Sequence, residues 1–216
     1  MKYVIMCGGT YLEWETPKQL LEIHGEALVD RTIRLLKAEG AEDICITATD
    51  PRFEDRGVPV LKHENNFITD GERTLSGYWL DAFYPRFPGN TQVTYIFGDV
   101  YFTENAIRTI VHANVKRNTL VGHPDAKNPE HHNIGEPFAY IVTDYRLFMY
   151  GVECVKRMRD AGLLLREPIV WELYRYLNGF DVNVQWINDA TYICIDDGTI
   201  DADTPEKARE LIERLH

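Results

Sequence analysis

Cys7-Gly8-Gly9-Thr10 follows directly on an apolar run of strand length, Lys2 to Met6, and Pro17-Lys18 stands a short linker further on. A strand that feeds a glycine turn is suited to hold phosphate. Without side chains at Gly8 and Gly9 the backbone can approach an oxyanion and turn several N–H groups toward it, and Lys18 can bring a point charge to the same place. The plain alternative is a tight turn and nothing more, because short motifs arise often by accident. A second candidate is Asp99, which follows the most β-prone run of the chain, residues 91–97. In open parallel sheets ligands bind at the carboxyl ends of strands, so this aspartate is placed to meet one. Its competing reading is a turn residue that caps the next helix. A third stretch, Asp201-Ala202-Asp203-Thr204-Pro205-Glu206, concentrates acid near the C-terminus, which also suits a helix start that satisfies the helix dipole.

These residues need elements to hold them. Helix and strand signals alternate along the chain, the pattern of a mostly parallel sheet covered by helices. Strands are expected at residues 2–6, 43–48, 57–61, 91–97, 118–121, 138–142, 182–187 and 191–195. Helical stripes run from Leu28 toward Gly40, from Thr103 onward, over 146–160 and 168–177, and from Pro205, capped by Thr204, toward Leu215. Thr69 to Gly77 leads into a further helix that carries Tyr78, Trp79, Ala82 and Phe83. Residues 123–135 form a polar loop, long for a plain connector.

Composition narrows the classes. A chain of 216 residues, 44% hydrophobic and 26% charged, accommodates one α/β domain with a full core. A net charge of −11 argues against nucleic acid as partner, since phosphate backbones demand a basic face. The cysteines at 7, 45, 154 and 194 show neither zinc spacing nor a disulfide framework, and Cys45 and Cys194 sit in apolar runs where burial is expected. No small-residue cleavage site follows Met1 and no apolar stretch approaches membrane-spanning length, so the reading is a cytoplasmic protein without membrane contact.

The segments Met6-Cys7-Gly8-Gly9-Thr10, Pro17-Lys18-Gln19-Leu20-Leu21 and Ile23-His24-Gly25-Glu26-Ala27-Leu28-Val29-Asp30-Arg31-Thr32 together resemble the opening of the nucleotidyltransferase superfamily. The Pro-Lys-Gln-Leu-Leu form is similar to its cytidylyltransferase branch. One departure is plain: the arginine of the family's glycine loop is missing, with Tyr11 or Leu12 in its place. The resemblance implies a single-domain, three-layer α/β/α sandwich with a mostly parallel central sheet, the Rossmann-like nucleotidyltransferase fold. Residues 1–121 would mainly bind nucleotide, and residues 122–216 would mainly bind the acceptor and supply a metal aspartate.

It also implies roles. Cys7, Gly8, Gly9 and Thr10 would contact the nucleotide, Lys18 and Asp99 would be catalytic, and Mg2+ would sit on Asp99 and Asp203, with Asp201 as the fallback. Gly71-Glu72-Arg73-Thr74-Leu75-Ser76 is similar to the stretch with which cytidylyltransferases read cytosine, which puts Gly71, Arg73 and Ser76 at the base. Glu136, in Gly135-Glu136-Pro137, would bond acceptor hydroxyls or an amine, and His123 would reach acceptor phosphate. Adjacent His131 and His132 diverge and make no persuasive metal site.

The function implied is Mg2+-dependent transfer of CMP from CTP to a small phosphorylated sugar, polyol or related metabolite, with release of pyrophosphate. An acceptor phosphate is already ionised at neutral pH, so the chemistry needs alignment and electrostatics rather than a base. The rivals are a sugar-phosphate nucleotidyltransferase using UTP, GTP or dTTP, a nucleotide-sugar glycosyltransferase, and a nucleotide-binding regulator without turnover. A homodimer would find contact aromatics in Tyr145, Phe148 and Tyr150.

Overall fold

The computed structural model describes the whole chain except residues 13, 64–65, 71–72, 88–90, 124–134, 203–207, 209–210 and 214–216, and for residues 10–11 the backbone alone. Seven strands form the main sheet: β1 (Lys2–Met6), β2 (Asp43–Ala48), β3 (Val60–Lys62), β4 (Val93–Phe97), β5 (Thr119–His123), β6 (Glu136–Val142) and β7 (Tyr192–Cys194). Their spatial order is β7-β5-β6-β4-β1-β2-β3. Every pairing is parallel except those of β6, which runs antiparallel between β4 and β5. In β4 all five residues are buried, and four of five in β1. Since alternate side chains point to opposite faces, the sheet is covered on both sides, as expected of a parallel α/β core.

The helices are α1 (Leu28–Ala38), α2 (Glu104–Val111), α3 (Tyr145–Asp160) and α4 (Val170–Leu177), packed as two pairs, α1 with α2 and α3 with α4. Their starts are set locally: the Thr103 hydroxyl accepts from Ala106 N–H at 3.0 Å, and Asp144 accepts from Leu147 N–H at 3.0 Å. Ahead of α1, His24 (φ 55°) and Gly25 (φ 75°) turn a short hairpin between Glu22–Ile23 and Glu26–Ala27. Two left-handed residues in a row are what such a two-residue turn requires, and glycine takes that conformation at little cost. One face of the sheet carries an aromatic cluster in which Phe83, from the chain before β4, meets Tyr95 at 5.1 Å and Phe148 of α3 at 4.9 Å, edge to face. Tyr140 of β6, in register with Tyr95, closes it at 5.0 Å from Phe148.

Several expectations are corrected. Residues 182–187 are no strand: Asp181 takes the amides of Asn183 and Val184, and Arg175 bonds the Val182 carbonyl at 3.0 Å, so the backbone groups a ladder would use are already spent. The helix expected after Gly77 is only a 3-10 turn, Trp79–Ala82, and the segment before it is a hairpin. Ile68–Thr69 pairs with Thr74–Ser76 and with Thr10–Tyr11, because Asp70 closes the turn by accepting from Arg73 N–H at 2.8 Å. Tyr145 and Phe148 are 3% and 0% exposed and belong to the core, which leaves Tyr150 alone of the three aromatics on the surface. Cys194 lies on edge strand β7 and is exposed, while Cys7 and Cys45 are buried; all four thiols are free. Most of the final helix lies outside the described residues, but Ala208 and Leu211 pack with Ile23, Leu28 and Ala202 in a second, smaller cluster.

Candidate active site

The tails of β1 and β4 leave the sheet side by side, with Met6 in register with Phe97. Gly98 N–H then bonds Met6 O at 3.1 Å. A Cβ at residue 98 would stand 2.6 Å from that same oxygen and 2.6 Å from Cys7 Sγ, so only glycine lets the two tails meet. Cys7 is buried beneath the turn and does not itself line the cavity described below. Burial, and after it the charge of Asp99, pushes its thiol well above the ordinary range, against a smaller pull from Arg56. Arg56, ion-paired with Asp30, is a cation near the glycine turn that no motif had marked.

Lys18 opens a 3-10 turn, Lys18–Leu20, behind Pro17. Its side chain is 1% exposed, and its Nζ lies 2.7 Å from Oδ2 of Asp99, which keeps 19% of its own surface. Burying an ammonium costs several kcal/mol unless a partner compensates it, and here the partner is the aspartate at the end of β4. Beyond Asp99, Val100–Tyr101 pairs antiparallel with Ile200–Asp201, and Ala202 N–H reaches Asp99 O at 3.0 Å. The C-terminal segment is thereby stitched to the strand end, and Asp201 comes to rest beside Val100, 6% exposed. Asp203 lies outside the described residues.

These groups share a cavity of about 350 Å3. Gly8, Gly9, Gln19, Asp99 and Asp201 line it together with the rings of Phe67, Trp79 and Phe97. The remaining wall comes from the later chain: Gly135, Glu136, Pro137, Ile169 and Trp171. That wall is braced from behind. Glu172, 3% exposed, accepts Ile169 N–H at 2.9 Å with one oxygen, and with the other it pairs with Arg166 at 2.8 Å and Arg175 at 3.2 Å. Arg175 is itself 2% exposed, and burial lowers its guanidinium pKa from the usual value. Trp171 gives its Nε1–H to Gly135 O at 3.2 Å and lies over Tyr192.

Other expected residues fall elsewhere. His123 does not line the cavity; its Nδ1 stands 2.8 Å from Ile195 O, held there by the β5–β7 edge. Gly71 lies outside the described residues. Arg73 is exposed and ion-paired with Asp70 at 2.8 Å, and Ser76 Oγ donates to Asn66 O at 2.9 Å; neither lines the cavity, although Phe67 beside the same hairpin does. Thr10 pairs through its backbone with Ile68, which carries the chain away from the glycine turn where the family's arginine would stand. Glu172 and its arginines gave no motif, although a Glu three residues behind a helix start is a recognisable capping pattern. Among the described residues no three His, Cys, Asp or Glu side chains converge on a shared ion position.

No protein-family model matches the sequence, and none of the curated proteins matches it. Solved structures do match the fold. A Bacillus anthracis protein named as a glucose-1-phosphate thymidylyltransferase aligns with TM-score 0.61 at 18% identity, over 100% of this chain and 95% of its own. The CTP:phosphocholine cytidylyltransferase of Streptococcus pneumoniae aligns with TM-score 0.54 at 16% identity, over 100% and 99%. A UDP-glucose pyrophosphorylase from Acinetobacter baumanii aligns with TM-score 0.56 at 11% identity, over 99% and 92%. With its mostly parallel seven-stranded sheet, the chain shares its fold with these solved structures, which are named as nucleotidyltransferases.

Proposed function

We propose that the protein is a magnesium-dependent nucleotidyltransferase that moves a nucleoside monophosphate, by preference CMP from CTP, onto a small phosphorylated acceptor. One contact carries the reading: the buried ammonium of Lys18, 2.7 Å from a carboxylate, Asp99, that opens onto the cavity beside Gly8 and Gly9. In this reading the glycine amides face the triphosphate, and Lys18 steadies charge that develops on its oxygens while holding Asp99 in place. An acceptor phosphate oxygen attacks the α-phosphorus; a new P–O bond forms as the bond to the bridging oxygen breaks, and that electron pair departs with pyrophosphate. No proton has to move, so no general base is required, and His123 is free to serve the sheet edge instead.

Asp99 and Asp201 make a donor set that suits magnesium, two hard carboxylates at one edge of a cavity with room for phosphate oxygens and water. When bound, the ion neutralises charge on the α-phosphate and the leaving pyrophosphate. We assign the second carboxylate to Asp201, which lines the cavity; Asp203 lies outside the described residues.

The preference for CTP is supported by the likeness to a cytidylyltransferase. UTP or dTTP is the second reading, favoured by the named substrates of two neighbours. Pyrophosphate release from each nucleoside triphosphate, with Mg2+ and a panel of phosphorylated acceptors, tests both. CTP should be preferred; preference for another triphosphate moves the base assignment, and no pyrophosphate from any pairing refutes the transferase reading.

A further inference from the structure

A second cavity lies at the other end of the sheet. It measures about 360 Å3, against about 350 Å3 for the first, and falls within the ~300–1,000 Å3 that small-molecule sites occupy. β6 runs antiparallel to β4, with Val142 in register with Val93, so the chain that leaves β6 emerges where β4 begins, away from Asp99. There Thr143 and Asp144 meet residues 116–118, which lead into β5. The end of α4, at Leu177 and Asn178, completes the enclosure.

The walls are fixed by internal bonds. Asn118 Oδ1 accepts the amides of Thr143 and Asp144 at 2.9 and 2.8 Å, and Asn178 Oδ1 accepts the Thr191 hydroxyl at 2.7 Å. Asp144 is taken up with the amide of Leu147, at 3.0 Å. Two groups on the lining have no such partner. Lys116 and Arg117 are exposed and, among the described residues, neither has an acid within ion-pair distance. In this chain of net charge −11 that is unusual: Lys2 pairs with Asp43, Lys156 with Asp81 and Arg159 with Glu167. Thr143 adds a buried hydroxyl with no hydrogen-bond partner among the described residues, where buried polar groups are as a rule satisfied. The start of α3 and the end of α4 meet at this place, so their dipoles oppose and the side chains set the sign: two cations against one acid.

Adjacent cations without a countercharge suit a dianion. A phosphate monoester carries nearly two charges at neutral pH, and a guanidinium beside an ammonium offers it a planar fork and a point charge. A carboxylate would match only one of them. The space is larger than a phosphate group fills, and Leu147 and Leu177 give apolar surface to an organic body. We propose that this cavity is a second ligand site, which takes a small organic phosphate by its phosphate group through Lys116 and Arg117. It is separate from the cavity at Asp99, and it stands whether or not the transferase reading does.

Amide NMR of the 15N-labelled protein, at constant ionic strength and pH 7.5, locates and measures binding of two probes, inorganic phosphate and n-butyl phosphate. Both should shift the amides of Arg117, Asn118 and Thr143 saturably, in Lys18→Met as in the unaltered protein. Lys116→Ser combined with Arg117→Ser, at two exposed positions, should raise Kd about tenfold or more. Butyl phosphate should bind about fourfold tighter than inorganic phosphate or better, the effect of one buried methylene. Equal affinities would give the site to the free ion and overturn the organic ligand. No saturable shift at these amides, or an unchanged Kd in the double variant, overturns the site itself.

Discussion

Lys18 and Arg175 are both cations with almost no exposed surface, 1% and 2%, and the fold uses them in opposite ways. Arg175 is closed in on every side: its partner Glu172 is 3% exposed and spends its other bonds on Arg166 and on the amide of Ile169. Lys18 is closed in on all sides but one, since its partner Asp99 keeps 19% of its surface and faces the cavity. Desolvation has to be compensated in both places. In the first both partners are enclosed by the protein, and the pair serves as a brace. In the second one side of the pair is left for a ligand, so the same physics becomes a means of binding.

The sharpest way to break this contrast is Glu172→Ala. It strands Arg175 and frees the first turn of α4, and should cost ~3–5 kcal/mol of unfolding free energy in urea titration. Near-native stability would show that the cluster is not the brace it looks to be. Lys18→Met, which keeps the volume and removes the charge, should do the reverse: turnover falls by a factor of ~10²–10³ while the urea midpoint holds or rises. A loss below tenfold, only ~1.4 kcal/mol of barrier, would return Lys18 to a structural role.

Gly98→Ala sits between the two. Its new methyl meets Met6 O and Cys7 Sγ, and should lower both stability, by ~1–3 kcal/mol, and turnover, because it pries apart the tails that carry Gly8 and Asp99. Stability lost without activity would mean that the tails can move independently. Smallest is Trp171→Phe, which removes one donor from Gly135 O and should cost ~0.5–1.5 kcal/mol with KM for the acceptor rising more than kcat falls. An unchanged KM would detach Trp171 from the acceptor wall.

Much of the cavity's edge around the glycine turn was legible from sequence because its signals are local. A strand that ends in Gly8-Gly9, a Pro-Lys pair and a Gly-Asp pair each announce themselves within a few residues, and the structure brings Gly8, Gly9, Lys18 and Asp99 together. The strands with strong β-branched or aromatic runs were equally readable. What was not readable depended on partners far away in the chain. Residues 182–187 alternate like a strand, yet Asp181 and Arg175 hold their backbone in turns. Thr74–Ser76 looked like a helix entry until Ile68–Thr69 and Thr10–Tyr11 supplied edges to pair with. Phe148 and Tyr145 follow a capping Asp144 on a helix that also exposes Leu147 and Tyr150, and only packing against Tyr95, Phe83 and Phe87 shows them to be core. The place of Asp201 beside Val100 likewise follows from a two-residue antiparallel pairing that no motif encodes.

The interlock at Gly98 has a consequence for how such a chain can diversify. It welds the glycine turn and the aspartate into one part, intolerant of even a methyl group. The opposite wall of the cavity hangs on separate joints, the start of β6 and the first turn of α4, held from behind by Glu172. Substitutions can therefore reshape the far wall of the cavity while leaving the turn and the aspartate as they are.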